Sequence, residues 1–175
     1  VLDSDWQAFN SMFNVVYPEG DQDFVLKLLG DHADETHSYD RALDVGSRES
    51  TLDPNNAFVW HNIGVSLSYF SEFQSAAAAF DQARGIGLAW RMLWYQTEMY
   101  QAYFNVGRYS DVVNLASSTL ETTPNLEESY YWRGNARYAM GDVEGAISDF
   151  RKAVEYNANF MDAELALHEI SPGSG

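Results

Sequence analysis

Three stretches, EFQSAAAAFDQA (72–83), RYSDVVNLASST (108–119) and DVEGAISDFRKA (142–153), align on one another without gaps, at offsets of 36 and 34 residues. Phe73, Tyr109 and Val143 share one column, Ala76, Val112 and Ala146 a second, and Ala83, Thr119 and Ala153 a third. Ahead of each lies another stretch with helical spacing: AFVWHNIGVSLSYF, LWYQTEMYQAYFNV and EESYYWRGNARYAM. A unit of two helices repeated at this period cannot bury its apolar face alone, so the copies must stack. The period predicts an all-α array.

The columns hold more than periodicity. Repeat one carries Trp60, Ile63, Gly64, Leu67, Ala76, Phe80 and Ala83; repeat three carries Tyr130, Gly134, Gly141, Ala146, Phe150 and Ala153. On these residues the chain resembles the tetratricopeptide repeat family, whose pattern runs W-x2-L-G followed by Ala, Phe and Ala. The resemblance implies a right-handed superhelical solenoid. Its repeats would span 57–92, 93–126 and 127–159, after a leading half-repeat at 31–56 and before a capping helix and tail at 160–175. Ala42 precedes Pro54 by the spacing that separates Val112 from Pro124, which marks SYDRALDVGSRESTLDPNN as a lone second helix. Ala76 is expected to cross against Gly64, so that Ala76→Leu would overpack and unfold the pair. Repeat two departs from the pattern. Tyr100 and Val112 stand where small residues belong, and a tyrosine facing a valine is expected to splay the two helices.

In the tetratricopeptide arrangement first helices line a concave surface, and the resemblance places partner-facing residues at fixed positions along them. These would be Phe58, His61, Val65, Ser68 and Tyr69 in repeat one, and Trp94, Thr97, Gln101, Phe104 and Asn105 in repeat two. Repeat three would contribute Glu128, Tyr131, Asn135, Tyr138 and Ala139. The aromatic run WRMLWYQTEMYQAYF (90–104), read as one helix, is thereby divided. Trp94 and Phe104 face a partner, and Tyr95, Met99, Tyr100 and Tyr103 face the core. An aromatic stripe at helical spacing is core more often than not. The set is stronger than its members, because rings converge with the carboxamides of Gln101, Asn105 and Asn135, which can pair with an extended peptide backbone. Such a mixture suits a peptide or a partner helix. It does not suit the grip on a terminal carboxylate made by some proteins of this family, since only Arg133 and Arg137 lie near and no groove position is Lys.

Composition narrows the partner. The 175 residues hold 26 Asp plus Glu against 10 Lys plus Arg, a formal net charge of −16. Nucleic-acid binding needs clustered cations to displace counterions, and the only lysines are Lys27 and Lys152. Anionic lipid surfaces are repelled by the same excess. A protein or peptide remains, with basic ones favoured. No cysteine is present, which removes thiolate catalysis and Cys-ligated zinc. No apolar run approaches the ~20 residues needed to cross a bilayer.

Candidate chemistry is sparse. DHADETH (31–37) gathers Asp31, His32, Asp34, Glu35 and His37, but its histidines are five apart and fall on different helix faces, which favours an acidic helix start over a metal site. His61 fits a groove hydrogen-bonder; no nucleophile or orienting carboxylate stands at fixed spacing from it. Glu127–Glu128 and Asp142–Glu144 read as capping charge at helix starts. GIGLA (85–89) is too short for a phosphate cradle and reads as a glycine-ended helix and turn. The chain is expected to be non-catalytic, with no cofactor.

The segments FNSMFNVVYPEGDQDFVLKLLG, DPNNAFVWHNIGVSLS and GLAWRMLWYQTEMYQAYFNVGRYSDVVNLASSTLETTPNLEESYYWRG support a narrower likeness. Over residues 8 to 160 they resemble the C-terminal region of bacterial proteins that carry an upstream papain-like cysteine peptidase domain of the bacteriocin-processing type. That likeness implies an accessory repeat domain in a parent that is often exported or extracellular. Residues 1–30, with the strand-like FNSMFNVVYP and the short helix DQDFVLKLLG, would then form the junction to that domain. A start at Val1, without a basic stretch leading into an apolar one, fits a piece of a longer protein. Two roles stay open: binding a separate partner, or docking on the peptidase domain to shape its substrate access.

Overall fold

The structure, a computed structural model, describes residues 35–89, 92 and 96–171, with side chains from residue 38 onward. These residues form eight helices: α1 (Glu35–Leu52), α2 (Ala57–Tyr69), α3 (Phe73–Ile86), α4 (Glu98–Asn105), α5 (Tyr109–Thr122), α6 (Glu127–Ala139), α7 (Val143–Tyr156) and α8 (Met161–Ile170). Among the described residues there is no strand. Helices α2/α3, α4/α5 and α6/α7 are the three hairpins, α1 is the lone leading helix and α8 covers α7. The fold is an all-α solenoid. FNSMFNVVYP, DQDFVLKLLG, the DHADETH side chains and the tail after Ser171 lie outside the described residues.

One turn closes all three hairpins. The N–H groups of Glu72, Arg108 and Asp142 each donate to the carbonyl five residues back, Leu67, Tyr103 and Arg137, at 2.9 Å. This 6→1 bond satisfies a carbonyl that the helix end leaves open, and it needs a left-handed residue just before it. Gly107 (φ 76°) and Gly141 (φ 86°) fill that place in the second and third hairpins, and Ser71 (φ 60°) fills it in the first. A Cβ in that region costs about 1–2 kcal/mol. Ser71→Gly should therefore raise the unfolding free energy by roughly 1 kcal/mol, less the extra entropy glycine gives the unfolded chain. Unchanged or lower stability in urea titration would show that the turn is not strained.

Between hairpins the chain is tied by a different bond. Trp60 Nε1–H donates to Pro54 O at 2.9 Å, and Tyr130 O–H donates to Pro124 O at 3.0 Å, so the aromatic at the same repeat position anchors the turn before it. The GIGLA segment ends α3 on left-handed Gly87 (φ 112°), as its sequence predicts.

Within the first and third hairpins a ring crosses a glycine. A Cβ on Gly64 would lie 2.5 Å from the Phe80 ring, and one on Gly134 would lie 2.8 Å from the Phe150 ring. The residue over Gly64 is thus Phe80 and not the expected Ala76, which is buried in the same cluster. The second hairpin reverses the pair. Tyr100 occupies the glycine position and Ala116 the phenylalanine position, both fully buried. Moving the ring to the other helix keeps the interface filled, while α4 and α5 touch over less of their length than the helices of the other two hairpins, in line with the wider pair expected there. Tyr100 then reaches Thr119 and Ser129, and their single protons fix the direction of the chain. Thr119 donates to Leu115 O (2.9 Å), Tyr100 donates to Thr119 Oγ1 (3.0 Å), and Ser129 donates to Tyr100 (3.1 Å). Burial pushes the Tyr100 hydroxyl above its ordinary pKa.

The expectation that 90–104 forms one helix is corrected. Gln96 and Thr97 are not helical and α4 starts at Glu98, giving 8 residues where α2 and α6 have 13. In sequence the second repeat has no proline at the turn position and has Gln96 in place of Trp60 or Tyr130, so it lacks the residue pair that makes the anchoring bond in the other two repeats.

Candidate functional site

First helices touch one another along the array, α2 on α4 and α4 on α6, while the second helices make no comparable contact. The side with closer spacing is the inner side of the curve, so α2, α4 and α6 line the concave face.

The residues expected on that face divide into three groups. Phe58 (48% exposed), Tyr69 (40%) and Tyr138 (51%) present rings to solvent, with Asn105, Glu128 and Ala139 also exposed. Tyr69 stacks on Tyr39 of α1 with ring centroids 3.9 Å apart. Val65, Thr97, Gln101, Phe104, Tyr131 and Asn135 are half-buried. Phe104 lies against Tyr109 and Trp132, and Tyr131 packs on Phe150 and Phe160, so both rings serve the core with one edge. Asn105 donates to Gln101 O (2.9 Å) and Asn135 to Tyr131 O (3.1 Å), which leaves each carboxamide oxygen without a donor among the described residues. Trp94 lies outside the described residues.

His61 and Ser68 form the third group, and they correct the sequence reading. His61 is 1% exposed and Ser68 4%. Neither ring nitrogen of His61 has a hydrogen-bond partner of good geometry, and its ring meets Phe80 at 5.5 Å, edge on. A repeat position fixes the face from which a side chain leaves the helix, not its final direction. With Phe80 drawn across Gly64, the imidazole packs on that ring instead of facing a partner. Burial lowers the His61 pKa, with a smaller opposing effect from the Asn62 side chain. The folded protein therefore binds fewer protons at His61 than the unfolded chain does. This contribution is fully present above the unfolded value of about 6.5 and is lost as pH falls below it toward the depressed folded value. His61→Leu should flatten the loss of melting temperature between about pH 7 and pH 5 relative to the parent; superimposable profiles would refute a buried neutral imidazole.

Charge is arranged in two networks that sequence reading missed, one at the surface of a joint and one inside the third hairpin. At the first joint Asp81 accepts from Arg108 (2.6 and 3.1 Å) and from Tyr103 O–H (2.7 Å), and Arg108 also binds Asp111 (2.6 Å). Burial alone would raise the Asp81 pKa, but these donors hold it below the ordinary carboxylate value. Tyr103 is pushed up to about 12, chiefly by burial. In the third hairpin Asp149, nearly fully buried, accepts two bonds from Arg133 (2.9 and 2.7 Å) and one from Arg137 (2.8 Å). The two cations nearest the groove are thus engaged by Asp149. The repeat period could have found this: one register holds Ile63, Leu67 and Ala79 in the first hairpin and Arg133, Arg137 and Asp149 in the third.

Glu128 stands with Glu127 and Glu98 near the starts of α6 and α4; burial, then the two neighbouring carboxylates, raises its pKa. Asp142 caps α7 by accepting from Gly145 N–H (3.0 Å), as expected of a helix start. Among the described residues no His, Asp or Glu cluster could hold a metal ion, and no helix is long and apolar enough to cross a membrane.

These hairpins and their concave first helices define a tetratricopeptide-type solenoid, and comparisons agree. Residues 127–160 match the tetratricopeptide repeat family model. RNA polymerase II-associated protein 3 of Xenopus tropicalis is 28% identical over 75 residues, covering 43% of this chain and 11% of that protein. The chain thus spans about a tenth of that relative. Among solved structures, the MamA RS-1 ArsTM double mutant superposes with a TM-score of 0.69 at 18% identity, over 78% of this chain and 75% of that one. The first repeat domain of Spaghetti (RPAP3), bound to the HSP90 peptide SRMEEVD, gives a TM-score of 0.59 at 21% identity, over 68% and 93%.

Proposed function

We propose that this chain is a non-catalytic protein- or peptide-binding module that takes a peptide or partner helix along its concave face, as an accessory domain of a larger bacterial protein. The observation that carries the reading is the set of solvent-facing rings Phe58, Tyr69 and Tyr138 on one curved layer, beside unsatisfied carboxamide oxygens at Asn105 and Asn135. Rings supply apolar contact, and the oxygens can accept from peptide N–H groups. The Spaghetti domain with its bound peptide supports peptide binding as a use of this fold. The acidic peptide found there is a poor match here, because Arg133 and Arg137 are already held by Asp149 and the net charge is −16. Basic or neutral sequences fit better, and the acidic surface would speed their encounter.

The test uses fluorescence anisotropy with the best-binding member of a randomised peptide library. Tyr138→Ala and Phe58→Ala should each weaken it by roughly tenfold while leaving helicity intact. Binding to a lysine-rich member should also decline as salt is added. Variants that bind like the parent would remove the concave face from the reading. Salt-independent binding would remove the steering role and leave the rings.

A further inference from the structure

A cavity of about 340 Å³ lies at the joint of the first and second hairpins. Among the described residues one side is the end of α3 and its exit, with Arg84, Leu88 and Ala89, and the other is Met99 of α4 with Leu115, Ser118, Thr119 and Thr122 of α5. None of these is a concave-face residue, so the cavity is independent of the peptide reading.

Its lining is chemically divided. Leu88, Met99 and Leu115 offer an apolar floor. Among the described lining residues Arg84 is the one charge; it has no carboxylate within ion-pairing distance, its hydrogen bond is to the Tyr103 hydroxyl oxygen at 3.3 Å, and Asp81, which accepts from that same hydroxyl, acts on it from farther off. Arg108, Arg133 and Arg137 by contrast all bind carboxylates. The hydroxyl protons of Thr119 and Thr122 are already given to Leu115 O and Thr119 O, which leaves Arg84 and Ser118 as the available donors. A guanidinium without a direct carboxylate partner, lining the same cavity as a hydroxyl and an apolar floor, matches one ligand chemistry, a carboxylate carried on a short hydrocarbon body.

We propose that this cavity binds such an alkyl carboxylate, with its oxygens on Arg84 and Ser118 and its chain on Leu88, Met99 and Leu115. The experiment is a titration of the ¹⁵N-labelled chain with octanoate, with octanol and inorganic phosphate alongside. Octanoate should saturate shifts at Ser118 and Leu115, with octanol and phosphate at least about tenfold weaker. Arg84→Gln should weaken octanoate by about tenfold or more. Ser118→Leu, which removes a donor and fills space, should abolish binding; circular dichroism of both variants establishes that they are folded. Absence of saturable octanoate shifts, equal binding of octanol or phosphate, or full affinity in a folded Arg84→Gln variant would each overturn the proposal.

Discussion

Asp149→Ala should lower the unfolding free energy by about 3–5 kcal/mol, enough to shift the melting temperature by roughly 10 °C in a chain this long. The cost does not come from the lost attraction alone. Arg133 and Arg137 would keep their positive charges with side chains only 15% and 28% exposed, and three charge-assisted hydrogen bonds would lose their acceptor. Arg133 also donates to Ser117 Oγ of α5 at 3.1 Å, so its displacement disturbs the joint to the second hairpin.

The first hairpin supplies the control. Ile63, Leu67 and Ala79 fill the corresponding places there and form an apolar cluster with Val59, Leu43 and Trp60. Transferring them as the triple variant Arg133→Ile, Arg137→Leu and Asp149→Ala removes the buried members of the ionic network and leaves only Asp142, which pairs with Arg137 at 3.7 Å, as an exposed helix cap. Its stability should return to the parent's or exceed it, because well-packed apolar replacements avoid desolvating three charges. A triple variant as unstable as Asp149→Ala alone would mean that the surroundings have no room for an apolar core at this place.

Much of the fold was legible because repetition gives each feature several witnesses. Glycine–ring crossings, turn glycines and turn-anchoring aromatics recur at the same period, so each repeat calibrates the others. Single departures were harder. The non-helical Gln96 stands at the position of Trp60 and Tyr130, whose anchoring role becomes visible only once their bonds to Pro54 and Pro124 are seen. For the concave-face positions, the register along the first helices does not fix how exposed each side chain is. His61 and Ser68 leave the helix on the inner layer and end up buried, because neighbouring volumes decide where a ring turns. Arg133 and Arg137 were read as lying near the groove, although their register places them where the first hairpin has Ile63 and Leu67.

The reversed ring in the second hairpin gives the other large effect. Tyr100→Gly should cost about 3–5 kcal/mol, from the emptied volume, the broken hydroxyl chain and a glycine inside α4. Ala116→Phe should cost about 1–3 kcal/mol by forcing a second ring into a filled space. Together the two changes restore the arrangement of the neighbouring hairpins, with the ring on the second helix crossing a glycine on the first. The double variant should be more stable than the sum of the single losses predicts, by about 2 kcal/mol or more. Recovery should be incomplete, since Ser129 loses its acceptor while Thr119 keeps its bond to Leu115 O. Strict additivity would mean that the ring positions are not exchangeable and that Tyr100 is retained for its hydroxyl chain. A large positive coupling would identify conserved volume across the pair as what holds α4 against α5, in a helix of only 8 residues that has little stability of its own.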